Sequence, residues 1–120
     1  MKIATIVFTY NRSFHTKKVL DALSRNRLHP EKLFIIQDGL KQESHREEWE
    51  KVRDIIENVD WCNCEVIVSN KNRGLSQSII SGISRVLESY DAAIILEDDC
   101  VPHPMFMEYM VQCLTKYQFE

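Results

Sequence analysis

The chain has 120 residues, enough for one domain with a real core, and its 44% hydrophobic and 28% charged content is that of an ordinary soluble globular protein. A formal charge of −3 with no Lys/Arg cluster gives no electrostatic case for nucleic acid, so anionic ligands must be recruited locally. No apolar run approaches the roughly 20 residues of a membrane span, and Ile3 to Phe8 is too short, and lacks the cleavage pattern, for a signal peptide, so cytoplasm is the expected compartment.

Strand and helix signals alternate along the chain. Ile3 to Phe8, rich in β-branched residues, predicts a first strand ended by the polar Thr9-Tyr10-Asn11-Arg12-Ser13. A helix with the stripe Val19, Leu20 and Leu23 follows, with Ser13 or Thr16 available to cap it and His29-Pro30 to punctuate its end. Leu33 to Ile36 is a second buried strand, stopped by Gln37-Asp38-Gly39. Glu43 to Asn58 reads as a charged amphipathic helix with Trp49, Val52, Ile55, Ile56 and Val59 on one side. A third strand, Glu65 to Val68, leads through Ser69 to Gly74 into a helix whose stripe is Leu75, Ile79, Ile83, Val86, Leu87 and Tyr90, with Gly82 marking close packing on the sheet. Ala92 to Leu96 is unbroken and apolar, as a strand covered on both faces would be, and runs into Glu97-Asp98-Asp99. A last helix starts near Pro104 and carries Phe106, Tyr109, Met110 and Leu114.

Cys62, Cys64, Cys100 and Cys113 lack zinc-ligand spacing and read as free, mostly structural thiols, which fits a reducing compartment. Four β-α units in series predict an α/β, Rossmann-like, mostly parallel sheet with helices on both faces. The loops at Thr9 to Arg12, Asp38-Gly39, Asn70 to Gly74 and Glu97 to Asp99 all follow strand C-termini and so converge on one edge, where a reversal of strand order beside the first strand would open a crevice.

Three carboxylates at the end of a buried strand repel one another unless a cation or a set of donors answers them. Mn2+ or Mg2+ shared with a nucleoside diphosphate would do so, and would stabilise a departing diphosphate. Asp38 can accept the imide N–H of uracil, and Arg73 can reach a phosphate or the acidic cluster. The plain alternatives are a solvated acidic turn, an ordinary turn at Asp38-Gly39 and a helix-entry loop at Arg73-Gly74.

Taken together, Ala4 to Arg12, Ile36-Gln37-Asp38-Gly39, Asn70 to Leu75 and Leu96 to Asp99 resemble the donor-binding half of GT-A-fold glycosyltransferases. The likeness is to the family 2-like inverting enzymes, especially the N-acetylglucosaminyltransferases that elongate N-glycans. It implies that Asp99 binds the metal, that Glu97 and Asp98 contact ribose or sugar, that Asp38 contacts uracil, and that Thr9, Tyr10 and Arg12 line the base and phosphate entrance. It also implies a nucleotide-sugar donor, usually UDP-linked, and a saccharide or glycoconjugate acceptor. Enzymes of that fold continue with an acceptor-binding half that supplies the catalytic base. No further acidic motif follows Asp99 here, so residues 1 to 120 are expected to be the nucleotide-sugar-binding part of an incomplete domain, with the base unassigned and an apolar sheet edge prone to self-association.

Two other classes fit less well. A receiver-type signalling domain needs paired acids after its first strand, where this chain has Thr9-Tyr10-Asn11, and a nucleotidyltransferase needs a Gly-rich phosphate loop there. A noncatalytic nucleotide-sugar-binding domain is the main rival.

Overall fold

Four strands, β1 (Ile3–Thr9), β2 (Leu33–Gln37), β3 (Cys64–Val68) and β4 (Ala92–Glu97), form one parallel sheet in the order β3-β2-β1-β4. The computed structural model describes residues 1–117; Gln118 to Glu120 lie outside the described residues. Helices α1 (Ser13–Ser24), α2 (Arg46–Glu57), α3 (Leu75–Leu87) and α4 (Phe106–Tyr117) alternate with the strands, and a short 3-10 turn, Glu43–His45, precedes α2. This is the α/β, Rossmann-like arrangement expected from the alternation.

Alternation along the strands divides the core into two layers. Ile3 and Val7 of β1, with Ile35, Ile94 and Leu96, meet Val19, Leu20 and Leu23 of α1, Val52 and Ile56 of α2, and Met107 of α4. Ala4, Ile6 and Phe8, with Phe34 and Ile36, face Ile79, Ile83 and Val86 of α3. Fully burying an aliphatic side chain contributes about 1.5–3 kcal/mol, so the three-helix face anchors the sheet and the single helix α3 adds a smaller layer.

That asymmetry accounts for several departures from the sequence pattern. With one helix on its face, β4 is not covered on both sides, and Ile95 is 42% exposed. Leu75 and Leu87 of α3 also face outward, and the buried stripe is Ser78, Gly82 and Val86. In α4 the buried residue is Met107, while Tyr109 is exposed. Helix α1 ends at Ser24, well before Pro30, and neither expected cap forms: Thr16 is buried inside the helix and the Ser13 hydroxyl donates to Glu48. Among the described residues no helix is long and apolar enough to cross a membrane.

Gly82 is where α3 comes down on the sheet. A methyl group added there would sit 2.6 Å from Ile36 Cδ1 and 2.9 Å from Phe8 Cε1. Replacing a helical glycine by alanine ordinarily gains up to about 1 kcal/mol. Overpacking a tight interface costs about 1–3 kcal/mol, which outweighs that gain. Gly82→Ala should therefore lower the unfolding free energy by about 1 kcal/mol in urea titrations; a rise would show that the interface yields.

Candidate functional site

The chain leaves β1 outward to β2 and β3, then returns to β4 on the other side of β1, so the strand order reverses at β1. Such a switch point leaves a crevice at the strand C-termini. Here the crevice is a cavity of about 480 Å3 bordered by the loops after β1, β2, β3 and β4 and by the start of α3. Thr9, Tyr10, Arg12, Asp38, Glu97, Asp98 and Asp99 all line it, as the sequence placed them.

Asp38 organises one end. Its side chain is buried, and its carboxylate accepts four hydrogen bonds: Oδ1 from the Gly39 and Arg73 amides at 2.8 and 2.9 Å, Oδ2 from the Gly74 amide at 3.0 Å and Asn72 Nδ2 at 3.1 Å. A carboxylate offers about four lone-pair sites, so all are occupied. The expected free acceptor for a base N–H is therefore taken by the protein's own loop, and a base reaches Asp38 only by displacing a donor. Neighbouring bonds fix Asp38 from behind. Trp49 Nε1 donates to its carbonyl at 2.9 Å, and the fully buried Gln37 amide donates to the Tyr10 and Trp49 carbonyls at 3.0 and 2.9 Å. Arg53 Nε closes the set on Gln37 Oε1 at 2.9 Å. Gly39 lies so close to the loop after β3 that a Cβ there would drive into the Lys71 carbonyl carbon.

The acidic end is built differently. Asp98 is buried, and Arg12 Nη2 donates to its Oδ1 at 2.6 Å; Arg12 Nη1 lies 3.8 Å from Asp99. Burial pushes the Asp98 carboxyl above the ordinary carboxylate range, and the guanidinium only partly offsets it. Glu97 and Asp99 are exposed at the mouth. Their carboxylate oxygens and the Cys100 sulfur lie within 4.8 Å of one another, with the Cys100 thiol 3.5 Å from Asp99 Oδ1.

Thr9 and Tyr10 are held by their own polar atoms. The Thr9 hydroxyl donates to the Ile36 carbonyl at 3.0 Å, while the Tyr10 hydroxyl accepts from the Lys41 amide at 2.9 Å and pairs with His45 Nδ1 at 2.9 Å. Tyr10 borders the cavity, and its ring meets the His45 ring edge-on with centroids 5.6 Å apart.

Arg73 departs from expectation. It borders a second cavity of about 610 Å3 beside α3, with Lys71 and Arg85, and Arg12 is the arginine that meets the acids. Strand order is the reason. β3 and β4 are opposite edges, so the loop after β3 is the farthest of the four from Glu97 to Asp99. Two residues were missed. Asn72 appeared only as part of a motif, and Ser78, a small polar residue within an otherwise apolar stripe, lines the cavity. All four cysteines are free; burial pushes the Cys62 thiol up to about 11 and raises that of Cys64, which keeps both protonated, whereas Cys100 is exposed beside the acids.

Residues 5–119 match the sequence model of the family described as glycosyl transferase family 2. No curated protein matches the chain in sequence. Among solved structures, S. aureus TarS is 15% identical with a TM-score of 0.66, covering 98% of this chain and 20% of that one. A TarS fragment in complex with UDP-GlcNAc is 14% identical with a TM-score of 0.69, over 98% and 32%. The mannosyltransferase PcManGT of Pyrobaculum calidifontis, in complex with GDP-Man and Mn2+, is 15% identical with a TM-score of 0.70, over 94% and 32%. At these identities the likeness is one of fold, and the chain spans a fifth to a third of the length of these proteins.

Asp38→Asn replaces an acceptor oxygen by an N–H2 group facing two of the same donors. A buried hydrogen-bonding group left unpaired costs about 1–3 kcal/mol, and the variant should lose that much stability in urea titrations. Hydrogen exchange without any ligand should quicken at the Arg73 and Gly74 amides. Unchanged exchange there would show that Asp38 does not hold the loop.

Proposed function

The chain belongs to glycosyl transferase family 2, and from that premise we propose that it is the donor-binding part of an enzyme that moves a sugar from a nucleoside diphosphate to a saccharide or glycoconjugate hydroxyl. The observation that carries this reading is the polarity of the switch-point cavity. One end is a loop closed by Asp38, and the other ends in carboxylates, of which Glu97 and Asp99 are exposed. A nucleotide diphosphate is polar in the same sense, with an uncharged base and a charged tail. UDP is our choice of carrier. Its support is the resemblance of Gln37-Asp38-Gly39 and Glu97-Asp98-Asp99, together with TarS fragments solved with UDP and UDP-GlcNAc.

Two diphosphate charges cannot rest against three acids without a cation. Glu97 and Asp99 would hold it, since hard oxygen donors on neighbouring residues suit Mn2+ or Mg2+, and their oxygens lie within reach of one another. A divalent cation there would neutralise the diphosphate and the negative charge that grows on it as the sugar leaves. Arg12 stands at the same end. It neutralises Asp98 and lies close enough to Asp99 to turn toward a phosphate oxygen. Asp98 is assigned to ribose or sugar, and the Tyr10 ring to the face of the base. Asp38 acts on the base through the loop it holds, and Arg73, on the far loop, takes no direct part.

The base that activates the acceptor is assigned to residues outside this set, because the cavity's buried acids, Asp38 and Asp98, are both engaged by donors. The bare edge of β4, with Ile95 exposed, supports self-association of residues 1–120 on their own. Four free thiols fit the cytoplasm as the place of action.

The test is calorimetry of UDP binding with Mn2+ present. Asp99→Asn keeps the shape and removes the charge, and it should weaken UDP at least about tenfold, the equivalent of about 1.4 kcal/mol. Equal affinity for wild type and variant would overturn the metal assignment.

A further inference from the structure

Ser78 sits on the face of α3 that turns to the sheet, where it lines both this cavity and the second one beside α3. It is 6% exposed, and its hydroxyl has no hydrogen-bond partner among the described residues. A serine inside a helix commonly either points to solvent or returns its hydroxyl to a carbonyl one turn back. Ser81, in the same helix, does so, donating to the Gln77 carbonyl at 2.9 Å. Ser78 does not, although the Gly74 carbonyl one turn back is tied to its own amide at 3.0 Å. A buried hydroxyl without a partner is a destabilising feature that calls for an explanation; Thr16 of α1 is the other one among the described residues, but of the two only Ser78 lines the cavity.

The position of Ser78 limits what that ligand group is. The acids lie after β4, while Ser78 borders the cavity with Ile36, at the end of β2. β1 lies between those strands, so the two ends are about two strand spacings, roughly 10 Å, apart. With the diphosphate at the acids, a nucleotide reaches the β2 side with its base. The loop held by Asp38 and the start of α3 meet it there.

We infer that the Ser78 hydroxyl is a binding contact to the nucleobase of the donor, donating its proton to a ring carbonyl of a pyrimidine. The inference rests on the nucleotide-sugar reading of this cavity. A hydroxyl both donates and accepts, so it serves the carbonyl edge of uracil without needing a charge on the base.

The experiment measures three quantities for the full chain and for Ser78→Ala: affinity for UDP with Mn2+, affinity for inorganic pyrophosphate with Mn2+, and the thermal midpoint without ligand. The variant should bind UDP about five- to tenfold more weakly, the size of one lost neutral hydrogen bond. It should bind pyrophosphate as the wild type does. Its midpoint without ligand should be equal or higher, because the unpaired buried hydroxyl is gone. Undiminished UDP binding by Ser78→Ala, while Asp99→Asn loses it, overturns the inference and leaves the donor-site reading standing. An equal loss for pyrophosphate, or a lower midpoint without ligand, assigns Ser78 a structural role instead. Failure of the wild-type chain to bind UDP with Mn2+ overturns both.

Discussion

The carboxylate of Asp38 is the interaction on which the candidate site depends. The segment from Asn70 to Gly74 contributes nothing to either core layer, and its residues are half-buried or exposed. Hydrophobic burial therefore does not fix it. Three N–H donors of the segment converging on one buried carboxylate do, and two of them are backbone amides just ahead of α3. Gly39 makes the approach sterically feasible, since any side chain there would drive into the Lys71 backbone. The start of α3, and with it Ser78, is thereby positioned against the end of β2. One polar knot thus sets the geometry of the half of the cavity proposed to face a base.

The opposite end follows another rule. Asp98 is buried as deeply as Asp38 but has a single cation for a partner rather than a ring of amides, and burial still holds its carboxyl above the usual range. Amide donors of a folded loop are fixed, whereas an arginine side chain can turn. The Asp38 end is consequently held by fixed donors before any ligand arrives, and the acidic end carries charges whose partner can rearrange. That division suits a ligand whose base must be discriminated and whose phosphate end changes charge during reaction.

Much of the fold was legible because β1, β2 and the amphipathic helices obey simple periods. Strand order was legible only as a condition, a reversal beside β1, and the structure meets it. Helix ends were misjudged where no side chain caps them: α1 begins after Arg12 with no capping bond, although Ser13 and Thr16 stand nearby. The acidic cluster and Asp38 could be placed at the site from their position after strands. Their partners could not. Whether Arg12 or Arg73 meets the acids depends on which strands are neighbours, and the Asp38 donors Arg73 and Gly74 lie 35 and 36 residues away as backbone amides, which leave no mark in residue type. Ser78 was hidden for a related reason, since a single small polar residue in an apolar stripe reads as noise until its hydroxyl is seen to lack a partner.

A direct measurement of the central claim, that a cation-bound nucleotide diphosphate lies across the switch point with its phosphates at the acids and its base at the Asp38 loop, is amide NMR with Mn2+ as a paramagnetic probe. Mn2+ added with UDP should broaden the signals of Glu97 to Cys100 and of Arg12 first. Diamagnetic Mg2+ with UDP should shift those of Asn72 to Ser78, at the other end of the cavity. Broadening centred on any other surface, or UDP-induced shifts that spare the loop held by Asp38, would contradict it.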